Sequence, residues 1–197
     1  MSPQKAIGKA VLWMFGWTRE GTAPTPRKYV LIAAPHTTNW DFIFLLAYAW
    51  SFEVEVAWLG KREMFRWPFG GFFRLLGGIP VARRSSGNMV DRMAEEFTKR
   101  DHLALTVPVE GTRKYVEYWK SGFYHIACAA GVPIVMSYLD YPRKLGGFGP
   151  AFMPTGDIRA DMEILREFYS GKKGKNVAWT GRIRLREEDA DERATAT

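Results

Sequence analysis

Cysteine and histidine are scarce in this chain. Cys128 is the single cysteine among 197 residues, so an intramolecular disulfide is excluded and a reducing compartment is expected. Because Cys128 lies in an apolar helical stretch, we predict that it packs in the core. The three histidines lack the spacing of metal ligands, so no metal and no cofactor is predicted. Two of them, His102 and His125, are interpreted as structural.

Long apolar runs are also missing. The longest, residues 42–50, falls short of the roughly 18 residues of a membrane-spanning helix. The sequence contains no G-x-S-x-G elbow, which argues against a covalent serine intermediate. With 47% hydrophobic residues, the chain predicts one well-buried domain. We place an amphipathic helix at residues 1–20, the globular domain at 21–180, and at 181–197 a polar tail that is not expected to pack beyond about residue 186.

Positive charge is in excess and unevenly placed. The net charge is +7, and residues 61–84 carry six basic and five aromatic side chains against a single acid, Glu63. Such a mixture is typical of a membrane-binding surface, where cations meet lipid headgroups and rings enter the acyl boundary. Aromatic core residues with solvated arginines explain it equally well. A nucleic-acid groove is a third interpretation, but no RNP, zinc-finger or helix-turn-helix pattern is present, so no nucleic-acid partner is expected.

Apolar runs of strand length alternate with helical segments along the chain. We predict strands at residues 29–34, 54–59, 77–83, 103–107, 132–138 and 148–153. Helices are predicted at residues 42–50, 88–99, 123–130, and from Asp157 or Asp161 to residue 169. This alternation is typical of the α/β class, and we expect a single domain with a mixed, mostly parallel β-sheet flanked by helices.

His36 and Asp41 lie at the junction between the first of these strands and the helix that follows. On one regular helix, residues five apart point about 140° away from each other, so His36 must sit in the loop and turn back toward Asp41. The carboxylate would then fix the imidazole tautomer and leave the other ring nitrogen free to take a proton from a hydroxyl. Taken alone, the spacing also fits a structural histidine and an aspartate that serves the first helical turn.

Two further strands are predicted to end in polar residues. The strand at 77–83 delivers Arg83 at its end, and the strand at 103–107 runs into the segment Glu110-Gly111-Thr112-Arg113. Ligands of open α/β sheets gather at the carboxyl ends of the strands. These side chains are therefore candidates for one site with His36.

The order of these segments resembles a known family. Over residues 29–140 the chain resembles the glycerolipid acyltransferases, which include lysophosphatidate and glycerol-3-phosphate acyltransferases. The four blocks that carry the resemblance are His36 with Asp41, Gly78-Ile-Pro-Val-Ala-Arg83, Glu110-Gly-Thr-Arg113 and Val132-Pro133-Ile134. Each block is weak alone, whereas the histidine and aspartate followed by Glu-Gly-Thr-Arg about 70 residues later are specific. The resemblance implies the acyltransferase fold of this family for residues 21–180.

The resemblance also implies a reaction. His36 would act as general base on an acceptor hydroxyl, with Asp41 as its orienting partner, and the hydroxyl would attack a fatty acyl thioester directly. The co-substrate would be acyl-CoA or acyl carrier protein. A basic protein surface suits an acidic donor and an anionic membrane, and we expect a cytoplasmic enzyme bound peripherally to the inner face of the cell membrane.

The remaining matched residues are implied to bind substrate. Arg83 and Arg113 would hold the acceptor phosphate, for which guanidinium has the bidentate donor geometry. Glu110, Gly111 and Thr112 belong to the same substrate-binding block, and Glu110 is expected to contact the acceptor's hydroxyls.

Two departures from the family blocks concern the acceptor. Val109 separates Pro108 from Glu110, and proline precedes His36 where many members have asparagine. We expect 1-acyl-glycerol-3-phosphate as acceptor, and a lysophospholipid, an amino-alcohol or a sugar lipid stays open. Two other functions are kept: an acyl-thioester hydrolase, in which His36 activates water, and a non-catalytic lipid-binding module.

Overall fold

The computed structural model describes residues 2–81 and 89–189. Its strands are β1 (Thr18–Glu20), β2 (Lys28–Ala33), β3 (Val56–Lys61), β4 (Gly78–Val81), β5 (Leu103–Pro108), β6 (Ile134–Asp140) and β7 (Leu145–Phe152). Its α-helices are α1 (Pro3–Met14), α2 (Trp40–Ser51), α3 (Gly70–Leu75), α4 (Met89–Thr98), α5 (Gly122–Ala130) and α6 (Ile158–Tyr169). The predicted phosphate ligand Arg83 and the predicted start of α4 at residue 88 lie outside the described residues.

The strands form one sheet in the order β1-β7-β6-β2-β5-β3-β4. Strands β6, β2, β5, β3 and β4 run parallel to one another. β7 runs antiparallel to β6, and β1 runs parallel to β7. This confirms the predicted mixed, mostly parallel sheet. β1 was not predicted because its three residues are all exposed and carry no apolar signal. β2 lies in the middle, and its last residue, Ala33, is paired with Pro108 at the end of β5, so the loops after these two strands are neighbours.

Helices cover both faces of the sheet. Because side chains alternate along a strand, β2 sends Val30 and Ile32 into a cluster with α4, α5 and α6, and Tyr29 and Leu31 into a cluster with α2. α1 packs on the outside of α2. The two helices approach so closely at Gly8 that a Cβ there would lie 2.5 Å from the carbonyl oxygen of Ala47. One face of the sheet is thus covered by α4, α5 and α6, and the other by α2, with α1 packed on α2.

Two sequence predictions about packing were wrong. Cys128 is exposed on α5, because the buried positions of that helix fall at Phe123, Tyr124, Ile126 and Ala127. The chain after residue 186 was expected not to pack, yet Glu188 is buried, accepting a 2.8 Å hydrogen bond from Arg166 and a 2.7 Å bond from the amide of Leu185. Polar residues pack here because they satisfy one another.

Candidate active site

The loop between β2 and α2 brings His36 and Asp41 together. β2 is buried and ends at Ala33, and α2 begins at Trp40, which places Asp41 in its first turn. The Nδ1 atom of His36 lies 3.2 Å from Oδ2 of Asp41. The Asp41 side chain is buried, whereas 22% of the His36 side chain is exposed. Nδ1 thus faces the Asp41 carboxylate, and Nε2 is the ring nitrogen that Asp41 does not engage.

Asp41 also builds the loop that holds His36. Its Oδ2 accepts hydrogen bonds from the backbone amides of Thr37, at 2.8 Å, and Thr38, at 2.9 Å. The residue at the helix N-cap, Asn39, makes no side-chain capping bond. Asp41 does not replace this cap, because the amides of Thr37 and Thr38 precede the helix. One carboxylate thus contacts both the backbone of the loop and the imidazole of His36.

Glu110 supports the same loop from the neighbouring strand. It follows β5, is 1% exposed, and its two carboxylate oxygens lie 3.2 and 3.0 Å from the backbone nitrogen of His36, which donates to them. Burial raises the pKa of Glu110 to about 7, and the hydrogen bond from His36 opposes this rise without cancelling it. Glu110 therefore contacts the main chain of His36 from the interior of the protein.

The rest of the Glu-Gly-Thr-Arg segment leads to the surface. Val109, the residue inserted after Pro108, is fully buried in the core. Gly111 adopts a left-handed conformation with φ of 66°, which favours glycine. Thr112 and Arg113 are exposed, and Arg113 lines the cavity beside His36. Of the predicted site residues that the structure describes, His36, Asp41 and Arg113 line one cavity, while Glu110 is buried behind it.

The cavity has a volume of about 600 Å³. It lies against α2 and the sheet, where small side chains on the strands, such as Ala33 and Ser137, leave space. His36, Asn39, Asp41 and Arg113 are among its polar lining residues. Most of the remaining wall is apolar, including Phe42, Leu45, Trp58, Leu59, Phe73 and Phe148. The apolar character of this wall matches that of a fatty acyl chain.

Three residues from the C-terminal part of the chain complete the surroundings of the site. Asn176 donates from its backbone nitrogen to Thr37 Oγ1, at 3.2 Å, and from Nδ2 to the Thr37 carbonyl, at 3.0 Å. Gly174 packs so tightly on Thr37 that a Cβ would lie 2.6 Å from Oγ1. The hydroxyl of Tyr141 donates to Asp41. Sequence reasoning missed all three, and their separations of 100 residues or more leave no local signal.

The other histidines lie apart from this site. His125 is exposed on α5, with Nε2 3.6 Å from a carboxylate oxygen of Glu187, and His102 is exposed before β5. Neither lines the cavity. Within residues 2–81 and 89–189, no group of three or more histidine, cysteine, aspartate or glutamate side chains is placed to hold a metal ion.

The fold and the site define an α/β protein in which a histidine and aspartate pair lines a mostly apolar cavity. A family model described as Acyltransferase matches residues 18–139. The chain belongs to this family and is an acyltransferase, which confirms the family expected from the sequence blocks.

A solved structure shares the fold. The 1-acyl-sn-glycerophosphate (LPA) acyltransferase PlsC from Thermotoga maritima is similar, with a TM-score of 0.57 and 17% sequence identity over 98% of this chain and 79% of that chain. A search of curated protein sequences found no match. In the described parts of the chain, no helix is both long enough and apolar enough to cross a membrane.

Proposed function

We propose that this enzyme transfers a fatty acyl group from acyl-CoA or acyl carrier protein to the hydroxyl of a glycerophospholipid-type acceptor, with 1-acyl-glycerol-3-phosphate as the expected acceptor. The observation that carries the proposal is the His36–Asp41 pair in the lining of a mostly apolar cavity. The pair supplies a base, and the cavity supplies room for an acyl chain. We place the enzyme peripherally on the cytoplasmic face of the cell membrane.

The geometry supports a direct transfer. Nε2 of His36 takes the proton from the acceptor hydroxyl as its oxygen attacks the thioester carbon, and Asp41 stabilises the resulting imidazolium. The tetrahedral intermediate then expels the thiolate, which receives the same proton from Nε2. No acyl-enzyme is needed. Ser137 lines the cavity, but its hydroxyl donates to the carbonyl of Ile32 at 2.9 Å, and Cys128 is outside the cavity.

Arg113 is assigned to the acceptor phosphate. Its side chain is exposed at the cavity lining, so a lipid whose hydroxyl faces His36 can place its phosphate against the guanidinium. Arg83 is proposed for the same task. Glu110 is assigned to holding the His36 loop, since its carboxylate is already engaged by the His36 amide.

Apolar side chains around the cavity support docking on a membrane. Ile43 and Met64 line the cavity and are also exposed, so the cavity opens between α2 and the turn at Arg62–Phe65. Next to Met64, Trp67 is 94% exposed and Leu75 is 83% exposed. Arg62, Arg66 and Arg74 lie in the same segment of the chain and add attraction to anionic headgroups. An acyl chain can thus pass from the bilayer into the cavity without crossing water.

The reaction is tested by thiol release from palmitoyl-CoA, with glycerol-3-phosphate, lysophosphatidate and a lysophospholipid supplied separately. We expect release that depends on the acceptor and that falls by at least 10²-fold in His36→Ala. His125→Ala is the matched control and keeps wild-type activity. Equal release with and without acceptor indicates hydrolysis instead, and liposome binding without any turnover indicates a binding module. Arg113→Ala should raise KM for these phosphate-bearing acceptors.

Membrane docking is tested separately by sedimentation with vesicles containing anionic phospholipid. The double variant Trp67→Ala/Leu75→Ala is expected to lose binding. Met153→Ala/Ile164→Ala removes exposed apolar side chains from β7's end and α6 and is expected to bind like wild type. Equal losses in both variants, or none in either, contradict the assigned surface.

A further inference from the structure

The hydroxyl of Tyr141 is a further hydrogen-bond donor to Asp41. Oδ2 of Asp41 accepts from the amides of Thr37 and Thr38 and lies 3.2 Å from Nδ1 of His36. Its Oδ1 accepts a 2.5 Å hydrogen bond from the hydroxyl of Tyr141. Hydrogen bonds from a hydroxyl to a carboxylate are short and among the stronger ones in proteins. The two oxygens of Asp41 are therefore divided, one facing the loop with His36 and the other facing Tyr141.

Tyr141 is itself held from three sides. Its ring packs edge-on against Trp17, with ring centroids 4.9 Å apart, and against Phe44, at 6.2 Å. Its backbone amide donates to the carbonyl of Lys173 at 3.0 Å. The tyrosine follows the last strand residue of β6, Asp140, and lies beyond the residues matched by the family model. A ring fixed in this way presents its hydroxyl in one place.

The hydroxyl remains a donor over the working pH range. Burial, reinforced by the hydrogen bond to Asp41, raises the pKa of Tyr141 well above its ordinary value. A half-turn about the Cβ–Cγ bond exchanges the two equivalent oxygens of Asp41, so what the donors around it fix is the plane of the carboxylate. With Tyr141 on Oδ1, rotation of the carboxylate breaks a hydrogen bond at each oxygen.

We propose that Tyr141 is a positioning residue for acyl transfer, whose hydroxyl fixes the plane of the Asp41 carboxylate so that one oxygen stays directed at Nδ1 of His36. This rests on the proposed function, in which His36 is the base. Tyr141 does not touch the substrate in this assignment. It keeps the imidazole in the tautomer with Nδ1 protonated and Nε2 free, as outer partners of orienting groups do in other active sites.

The test is Tyr141→Phe, which removes the hydroxyl and keeps the ring packing. We expect kcat to fall by roughly 10- to 100-fold, the usual range for such outer partners, with KM for donor and acceptor within about twofold of wild type. In an Asp41→Asn background the same substitution should cost nothing further, because it acts through Asp41. Tyr118→Phe is the matched control: its hydroxyl also donates to a carboxylate, that of Asp189, and its kcat should be unchanged.

A second readout separates positioning from stability and from the proposed function. The ¹⁵N resonances of the His36 imidazole report the tautomer directly, and we expect Tyr141→Phe to increase the Nε2-protonated form. An unchanged imidazole spectrum overturns the positioning role, and so does an equal loss of kcat in the Asp41→Asn background. If His36→Ala retains wild-type activity, the proposed function fails, and the imidazole spectrum still decides the role of Tyr141.

Discussion

Glu110 makes the stability of this protein depend on pH. Its carboxyl is buried, and burial raises its pKa from 4.5 to about 7. The folded state therefore holds the proton more tightly than the unfolded state. The stabilisation from the neutral acid is complete below about pH 4.5 and is lost as pH rises through about 7. Each pKa unit corresponds to about 1.4 kcal/mol, so the full effect is on the order of 3 kcal/mol.

The substitution Glu110→Gln isolates this effect. Glutamine is neutral at all pH values and keeps one oxygen that can accept from the His36 amide. The unfolding free energy of the variant minus that of wild type should increase by about 2 to 3 kcal/mol from pH 5 to pH 8. Urea unfolding at the two pH values measures the change. Other titrating groups cancel in the comparison.

The matched control is Glu117→Gln, which removes an exposed carboxylate from the same part of the chain. Its difference from wild type should be nearly the same at pH 5 and pH 8. If the difference between Glu110→Gln and wild type is also constant, Glu110 does not titrate with a raised pKa, and the reasoning from burial is refuted.

Three further predictions concern packing and catalysis. Gly8→Ala should lower the unfolding free energy by about 1 to 3 kcal/mol, because its Cβ meets the backbone of α2. Gly122→Ala is the control, because the space around Gly122 is open. Equal urea midpoints for the two variants would refute the close contact at Gly8. Gly174→Ala should lower kcat by displacing Thr37 and the His36 loop, and steady-state kinetics with wild-type values would contradict this. Asp41→Asn should lower kcat by roughly 10²- to 10⁴-fold, and a pH–rate profile identical to wild type would count against the pair.

Local patterns were sufficient for the central strands of the sheet and for the histidine and aspartate, but not for the exposed edge strand β1. β2, β5 and β6 are apolar runs of strand length, and their parallel order follows from the helices between them. The predicted turn of His36 toward Asp41 needed only the geometry of a helix start. The structure places the two atoms 3.2 Å apart.

Contacts between distant segments were not accessible from a single sequence. Tyr141 and Asn176 reach the site from 100 and 139 residues away, and neither belongs to a pattern that indicates catalysis. The burial of Glu110 was equally hidden, because a glutamate after a strand predicts an exposed side chain that meets substrate. Its position depends on the pairing of β5 with β2, which brings its carboxylate under the His36 amide.

The central claim is that His36 catalyses a direct transfer to the acceptor hydroxyl. The most direct measurement mixes enzyme, palmitoyl-CoA and lysophosphatidate in a single turnover and follows acceptor and intact protein by mass spectrometry. We expect acylated lysophosphatidate to form at a rate that falls sharply in His36→Ala, while the protein stays unmodified throughout. A palmitoylated enzyme that forms and decays at the rate of turnover, or an undiminished rate in His36→Ala, would contradict it.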